Sequence, residues 1–159
     1  MSKESVYQFL ADRGFADHYV EFDESSTATV ALAAQAIGCE EGRIAKTMSL
    51  STREGAIVVV FNGVARLDNR KYKDTFHEKA RFLQGEEVVE QTGHPIGGVC
   101  PFALKAGVRV FLDESLKVYE YVYPAAGAPN NAVRLTIGEL EELTGGSWIS
   151  VAKTAEAEE

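Results

Sequence analysis

The run Ala56-Ile57-Val58-Val59-Val60-Phe61 constrains this chain more than any other stretch, because it is six apolar residues long and offers no polar position to water. A strand with one wet face alternates polar and apolar residues, whereas a strand covered on both faces reads as a continuous hydrophobic run. The fold must therefore place cover on both sides of this segment. Ile44 to Ser51 is a second apolar, partly β-branched run, and Thr52-Arg53-Glu54-Gly55 between the two reads as a hairpin turn ending on glycine.

Around this hairpin the periodicity changes. Ser5 to Arg13 sets Val6, Phe9 and Leu10 on one helical face and stops at Gly14. A strand is expected over His18 to Phe22. Ser25, Ser26 and Thr27 offer caps for a helix over Ala28 to Ile37, which Gly38 would end. Asn62-Gly63 signals a turn, Asp68 can cap a helix from Asn69 to Phe76, and Glu86 to Gln91 reads as a further helix after Gly85. Strands are expected over Val108 to Leu112 and Val118 to Tyr123. A last helix, Ile137 to Leu143, ends at Gly145-Gly146 before a strand over Trp148 to Val151. The closing AKTAEAEE reads as frayed, which suggests one domain over 1–152 and a disordered acidic tail over 153–159. Strands and helices mix without regular βαβ alternation, so the expected class is α+β, a sheet or barrel with helices, rather than a doubly wound fold.

Composition excludes several classes. Hydrophobic residues make up 45% and charged residues 25%, an ordinary globular balance, and no apolar run nears the roughly 18 residues of a membrane span. The opening MSKESVYQFLADRG lacks the pattern of a secretory signal, and Cys39 and Cys100 have no CxxC spacing, so both are expected as reduced thiols in the cytoplasm. Three scattered histidines and two lone cysteines form no ligand pair at zinc spacing; no metal and no cofactor is expected. No Walker loop, G-x-G-x-x-G or G-x-S-x-G occurs.

The formal net charge is −8, which by itself disfavours a nucleic-acid partner. Its distribution matters more. Between Arg43 and Arg81 lie nine lysines and arginines against four carboxylates, a local +5, so the remainder carries −13. This pattern fits either a solvated helix face or a basic strip able to hold one polyanion end.

Three constellations bear on chemistry. Lys46-Thr47 begins an apolar strand, where a lysine is out of pattern; either it lies on a wet face, or it faces a pocket or counter-charge. His94-Pro95-Ile96-Gly97-Gly98-Val99-Cys100-Pro101 brackets two glycines with prolines, which suits a plain turn or a loop presenting backbone groups at set angles to a ligand. Ala125 to Asn131, with Gly127 at its centre, is a small-residue loop that would allow close backbone approach. Asp113, ending Val110-Phe111-Leu112-Asp113, either caps the next turn or joins the site. Cys100 as a nucleophile is disfavoured, since nearness of His94 in sequence does not make a thiolate–imidazole pair. His18 and His77 read as surface or satisfied core residues.

Taken in order, Arg43-Ile44-Ala45-Lys46-Thr47, AIVVVF, Arg66-Leu67-Asp68, Thr92-Gly93, Gly97-Gly98-Val99-Cys100-Pro101 and Val110 to Asp113 resemble the YbaK/EbsC family, which includes the insertion domain of bacterial prolyl-tRNA synthetases. The resemblance runs roughly from Thr29 to Trp148, and its specificity lies in the ordered set. It implies a mixed, mostly antiparallel β-barrel-like sheet flanked by helices, and a trans-acting deacylase that hydrolyses mischarged tRNA, with proline tRNA or another small-residue mischarge as substrate. By the same resemblance Lys46 matches the functionally required lysine of a KT motif and Gly97 to Pro101 a G-x-x-x-P loop. Lys46, Gly97, Gly98 and Pro101 are then the expected catalytic set, and Thr47, Arg66, Asp68, Cys100, Asp113 and Gly127 the expected substrate-binding set. The partners implied are the 3′ end of mischarged tRNA and, in some settings, a synthetase. A non-catalytic module that binds a nucleotide or RNA end is the competing reading, and no long apolar face marks an oligomer.

Overall fold

The computed structural model describes residues 2–22, 29–95, 98–128 and 130–153. The central sheet has the order β2-β3-β4-β8, formed by Lys46–Thr52, Gly55–Phe61, Arg109–Asp113 and Ser147–Ile149. β2 and β3 pair antiparallel as the expected hairpin, whereas β3 with β4 and β4 with β8 are parallel. Two short antiparallel pairs flank it: β1 (Tyr19–Glu21) with β6 (Asn131–Val133), and β5 (Tyr121–Val122) with β7 (Leu135–Thr136). The class is α+β, as expected, but the described strands form three separate sheets and do not close into a barrel.

The two-sided burial required by β3 is met: Ile57 to Phe61 are all fully buried. On one side Ile57, Val59 and Phe61 pack with Tyr72 of α3 (Asn69–Phe76), with Ala65 and with Val151. On the other, Val60 and Leu112 pack with Val6 and Leu10 of α1 (Ser2–Asp12), with Cys100 and Phe102, and with Leu140 of α5 (Ile137–Thr144). Helices on both faces are the usual consequence of parallel pairing. The outer edge of β2 is covered in part, because Leu83 N–H donates to Ser49 O (3.0 Å) and Ser51 N–H to Arg81 O (2.8 Å).

Local sequence explains most helix ends. Thr29 caps α2 (Val30–Ile37) by accepting from Leu32 N, and Gly38 closes it at φ 86°; the expected caps Ser25 to Thr27 lie outside the described residues. Asp68 caps α3, and Thr136 and Glu139 form a capping box on α5. α4 (Glu86–Thr92) follows Gly85 and ends on Gly93. The strand expected over Val118 to Tyr123 shortens to two residues, since Glu114–Val118 winds as a 3-10 helix capped by Asp113. Ala152 and Lys153, expected to be frayed, are tied down: Ala152 bridges Leu67 and Lys153 N–H donates to Arg66 O (2.9 Å).

The turn after β3 locks onto the chain entering β2. Gly63 N–H donates to Gly42 O (3.1 Å), and a Cβ at Gly63 would collide with Glu41 O and Ile44 O, both backbone atoms. Only glycine fits, so this contact fixes where β2 begins. Gly63→Ala is expected to destabilise the protein by roughly 2 kcal/mol or more, read as a lower urea midpoint, whereas Val64→Ala two atoms of backbone away and exposed should change it by under about 0.5 kcal/mol.

Candidate functional site

The entry to β2 is held by Arg43. Its guanidinium lies over the rings of Tyr119 and Tyr121, 4.9 and 4.3 Å from their centroids, donates to Tyr121 O (3.2 Å) and pairs with Glu40 (3.0 Å). Tyr123 N–H donates to Arg43 O and Ala45 N–H to Tyr123 O. The chain that leads into the loop at Ala125 is thereby laced to the residues just before Lys46.

Lys46 pairs with Phe61 and Thr47 with Val60. Opposed residues share a sheet face, so Thr47 and Ala45 look toward the side that holds Cys100, Phe102 and Ala126. Lys46 leaves at the end of the ladder on the other side, the side covered by α3, and is half-buried. The Thr47 Oγ1 is buried and has no hydrogen-bond partner, a costly arrangement for a hydroxyl.

The two glycine loops meet. Gly98 is buried and its N–H donates to Pro95 O (2.9 Å); a Cβ there would stand 2.9 Å from Ala128 N and Cα and from Gly127 C. Backbone thus touches backbone, which a side chain at 98 would prevent. Pro101 is buried at the end of this loop, and Gly127, at φ 96°, is buried opposite it. Gly97 and Ile96 lie outside the described residues.

Asn131, which sequence reasoning placed only within a loop, organises this junction. Its Oδ1 accepts from Ala126 N (2.9 Å) and Ala128 N (3.3 Å), while its Nδ2 donates to Ala126 O and to Tyr19 Oη, both at 3.1 Å. The turn-forming habit of asparagine, in the pair Asn130-Asn131 after a small-residue run, was the available signal.

Three expected site residues turn out to be braces. Asp68 spends Oδ1 on the amides of Arg70 (2.9 Å) and Lys71 (3.1 Å), and the Lys71 amide foremost holds its carboxyl below the usual range. Asp113 is buried, with Oδ1 accepting from Val151 N and Oδ2 from Ser115 N, both at 2.8 Å. Cys100 is wholly enclosed, so it supports the loop from behind instead of narrowing a pocket. Burial pushes its thiol up to about 12.

Cys100 and His94 do come together, with Sγ 3.5 Å from Nε2. The pair is nevertheless no nucleophile–base couple. The same Nε2 lies 2.7 Å from the Phe102 carbonyl, which can only accept, so this nitrogen carries the proton and has no lone pair for the thiol. The thiol donates to the same carbonyl (3.7 Å), and burial also lowers the pKa of His94. Of the other histidines, His18 Nδ1 contacts Arg134 O (2.8 Å) and His77 closes α3 at φ 61°.

The basic strip is thinned by internal bonds. Besides Arg43, Arg53 pairs with Glu78, Arg81 with Glu87, and Lys71 Nζ donates to Ala152 O (2.8 Å). Arg66, Arg70, Lys73 and Lys79 are exposed. Among the described residues no group of three or more His, Cys, Asp or Glu gathers as a metal site would need, and no helix is long and apolar enough to cross a membrane.

A mixed sheet clad by helices, with two glycine loops converging beside its first strand, is the arrangement of an editing domain. A family model of the aminoacyl-tRNA editing domain matches residues 24–143, and the chain belongs to that family. It is similar to the uncharacterised protein YwhH of Bacillus subtilis (strain 168), 44% identical over 155 residues, 96% of this chain and 98% of that one. A crystal structure described as that of a proposed trans-editing enzyme for prolyl tRNA synthetase superposes with a TM-score of 0.87 at 36% identity, covering 96% of this chain and 98% of the other. The hypothetical protein APE2540 superposes at 0.83 with 31% identity, covering 94% and 99%.

Two outcomes check these assignments. With a thiol reagent at pH 8, Cys100 should stay unmodified in the folded protein and react only after denaturation, whereas the partly exposed Cys39 reacts in both states; peptide mapping reads the difference. Asp113→Ala, which orphans two amides at a buried carboxylate, is expected to lower stability by about 3 kcal/mol, measured by urea denaturation.

Proposed function

We propose that the protein is a trans-acting aminoacyl-tRNA deacylase that hydrolyses the ester between a wrong, small amino acid and the tRNA 3′ end. The observation that carries this reading is the backbone contact of Gly98 with Gly127 and Ala128, on the side of the sheet toward which the unpartnered Thr47 hydroxyl looks. Such a junction holds main-chain groups at fixed angles beside one buried hydroxyl whose hydrogen bond is unmade, an arrangement suited to a ligand that is itself rich in hydroxyls.

The ester is already activated, so the site has to orient a water and stabilise developing charge. His94, Cys100 and Asp113 are each engaged by backbone partners, which supports a scheme in which the neighbouring hydroxyl of the terminal ribose assists the water. In this scheme Lys46, at the rim of the ladder, holds the terminal phosphate or ribose end. Gly97, Gly98 and Pro101 position the ester and the water, while Thr47 and Gly127 contact the substrate. Family membership and the likeness to a proposed trans-editing enzyme for prolyl tRNA synthetase support proline tRNA as the carrier. Rejecting one methylene in a synthetase pocket is worth only about 1–3 kcal/mol, which is why a separate hydrolytic step is useful. We propose the cytoplasm as the setting of this work, a reading that two free cysteines and a tRNA substrate support.

A panel of mischarged tRNAs incubated with wild type and Lys46→Ala tests the proposal. Wild type should release free amino acid in proportion to time, and Lys46→Ala should be slower by about a hundredfold. Full activity in Lys46→Ala removes the lysine's role. Protection of the ester by wild type, without release, would mark the protein as a binding module instead.

A further inference from the structure

We infer that the exposed face of α3, with Lys79 beside it, is the docking surface for the phosphate backbone of the RNA stem that leads to the 3′ end; this rests on the deacylase reading above. Arg70, Lys73 and Lys79 line one groove of about 380 Å³ together with Asn69 and Ala80. Among the described residues none of the three cations makes an ion pair, although six other lysines and arginines do. Arg66 and Lys153 extend the same surface at the start of α3, where Lys153 N–H donates to Arg66 O. Against these stand two carboxylates, Asp74 on α3 and Asp68 at its start, the latter engaged by the amides of Arg70 and Lys71.

Two features make RNA the occupant. The first is charge: in a chain of net −8 the acidic body repels acidic proteins, whereas cations collected on and beside one helix attract the closely spaced phosphates of a polyanion that reaches them. The second is placement. α3 covers the sheet face on which Lys46 emerges, and the chain reaches α3 directly from Phe61, the partner of Lys46. An eight-residue helix is about 12 Å long, enough to follow several phosphates. A stem lying along it would deliver its end to the rim of the ladder, from which the terminal nucleotide turns toward the glycine loops on the other side.

The test is binding of fluorescently labelled, deacylated tRNA, read by anisotropy over a salt series. The triple variant Arg70→Ala, Lys73→Ala, Lys79→Ala is expected to bind at least about tenfold more weakly at 0.1 M salt, with the slope of log K against log salt reduced by roughly two to three. A control with Lys3→Ala and Lys117→Ala, ion-paired residues of α1 and of the Glu114–Val118 turn, should bind as wild type. Unchanged affinity and slope in the triple variant, or an equal loss in the control, overturns the inference. Because the ligand is deacylated, the result is independent of hydrolysis: a protein that binds through α3 but releases no amino acid keeps this surface and loses the deacylase reading.

Discussion

Everything in this molecule follows from a strand that has no side to give to water. Ile57 to Phe61 are enclosed from both faces, and a sheet built around such a strand needs a layer on each side. α3 and the segment through Val151 supply one layer; α1, α5 and the Cys100–Phe102 segment supply the other. Loops are left at the sheet's end, where β2 begins and β3 and β4 finish. Parallel pairing of β3, β4 and β8 forces long connections, and these connections carry the chain segments from which the candidate site is made.

At that end the polar groups are sorted by what they can reach. Carboxylates, imidazole and thiol are consumed by backbone amides and carbonyls: Asp113 by Ser115 and Val151, His94 and Cys100 by Phe102. They brace the loops and are thereby withdrawn from proton transfer. What faces the junction is main chain from Gly98, Gly127 and Ala128, held in place by the four hydrogen bonds of Asn131. Such a junction presents main-chain groups at fixed angles, in keeping with the proposed scheme in which the substrate's own hydroxyl completes the chemistry.

Charge is sorted in the same way. The positive segment from Arg43 to Arg81 is not a uniform strip once folded, because Arg43 is stacked on two tyrosines and Arg53 and Arg81 are paired with glutamates. Arg66, Arg70, Lys73 and Lys79 are left exposed on and beside α3, which covers the face from which Lys46 emerges. Separation of a small positive surface from an acidic body limits loose attachment along nucleic acid while permitting one oriented contact.

Much of this was legible in the residues. The hairpin, the double burial of AIVVVF, the cap at Asp68, the helix ends at Gly14, Gly38 and Gly145, and the ordered motifs of the editing family are local features, and local patterns depend on residues a few positions apart. Sequence also put Lys46, Thr47 and the glycine loops on the short list. It could not decide the duties of Asp68, Asp113 and Cys100, since an aspartate that caps and one that binds look alike until its two oxygens are counted. Nor could it show that the strands stay open instead of closing into a barrel, or that Asn131 ties the junction together. Those outcomes turn on contacts between segments tens of residues apart, such as Asp113 with Val151 and Gly98 with Ala128, whose geometry only the packed chain defines.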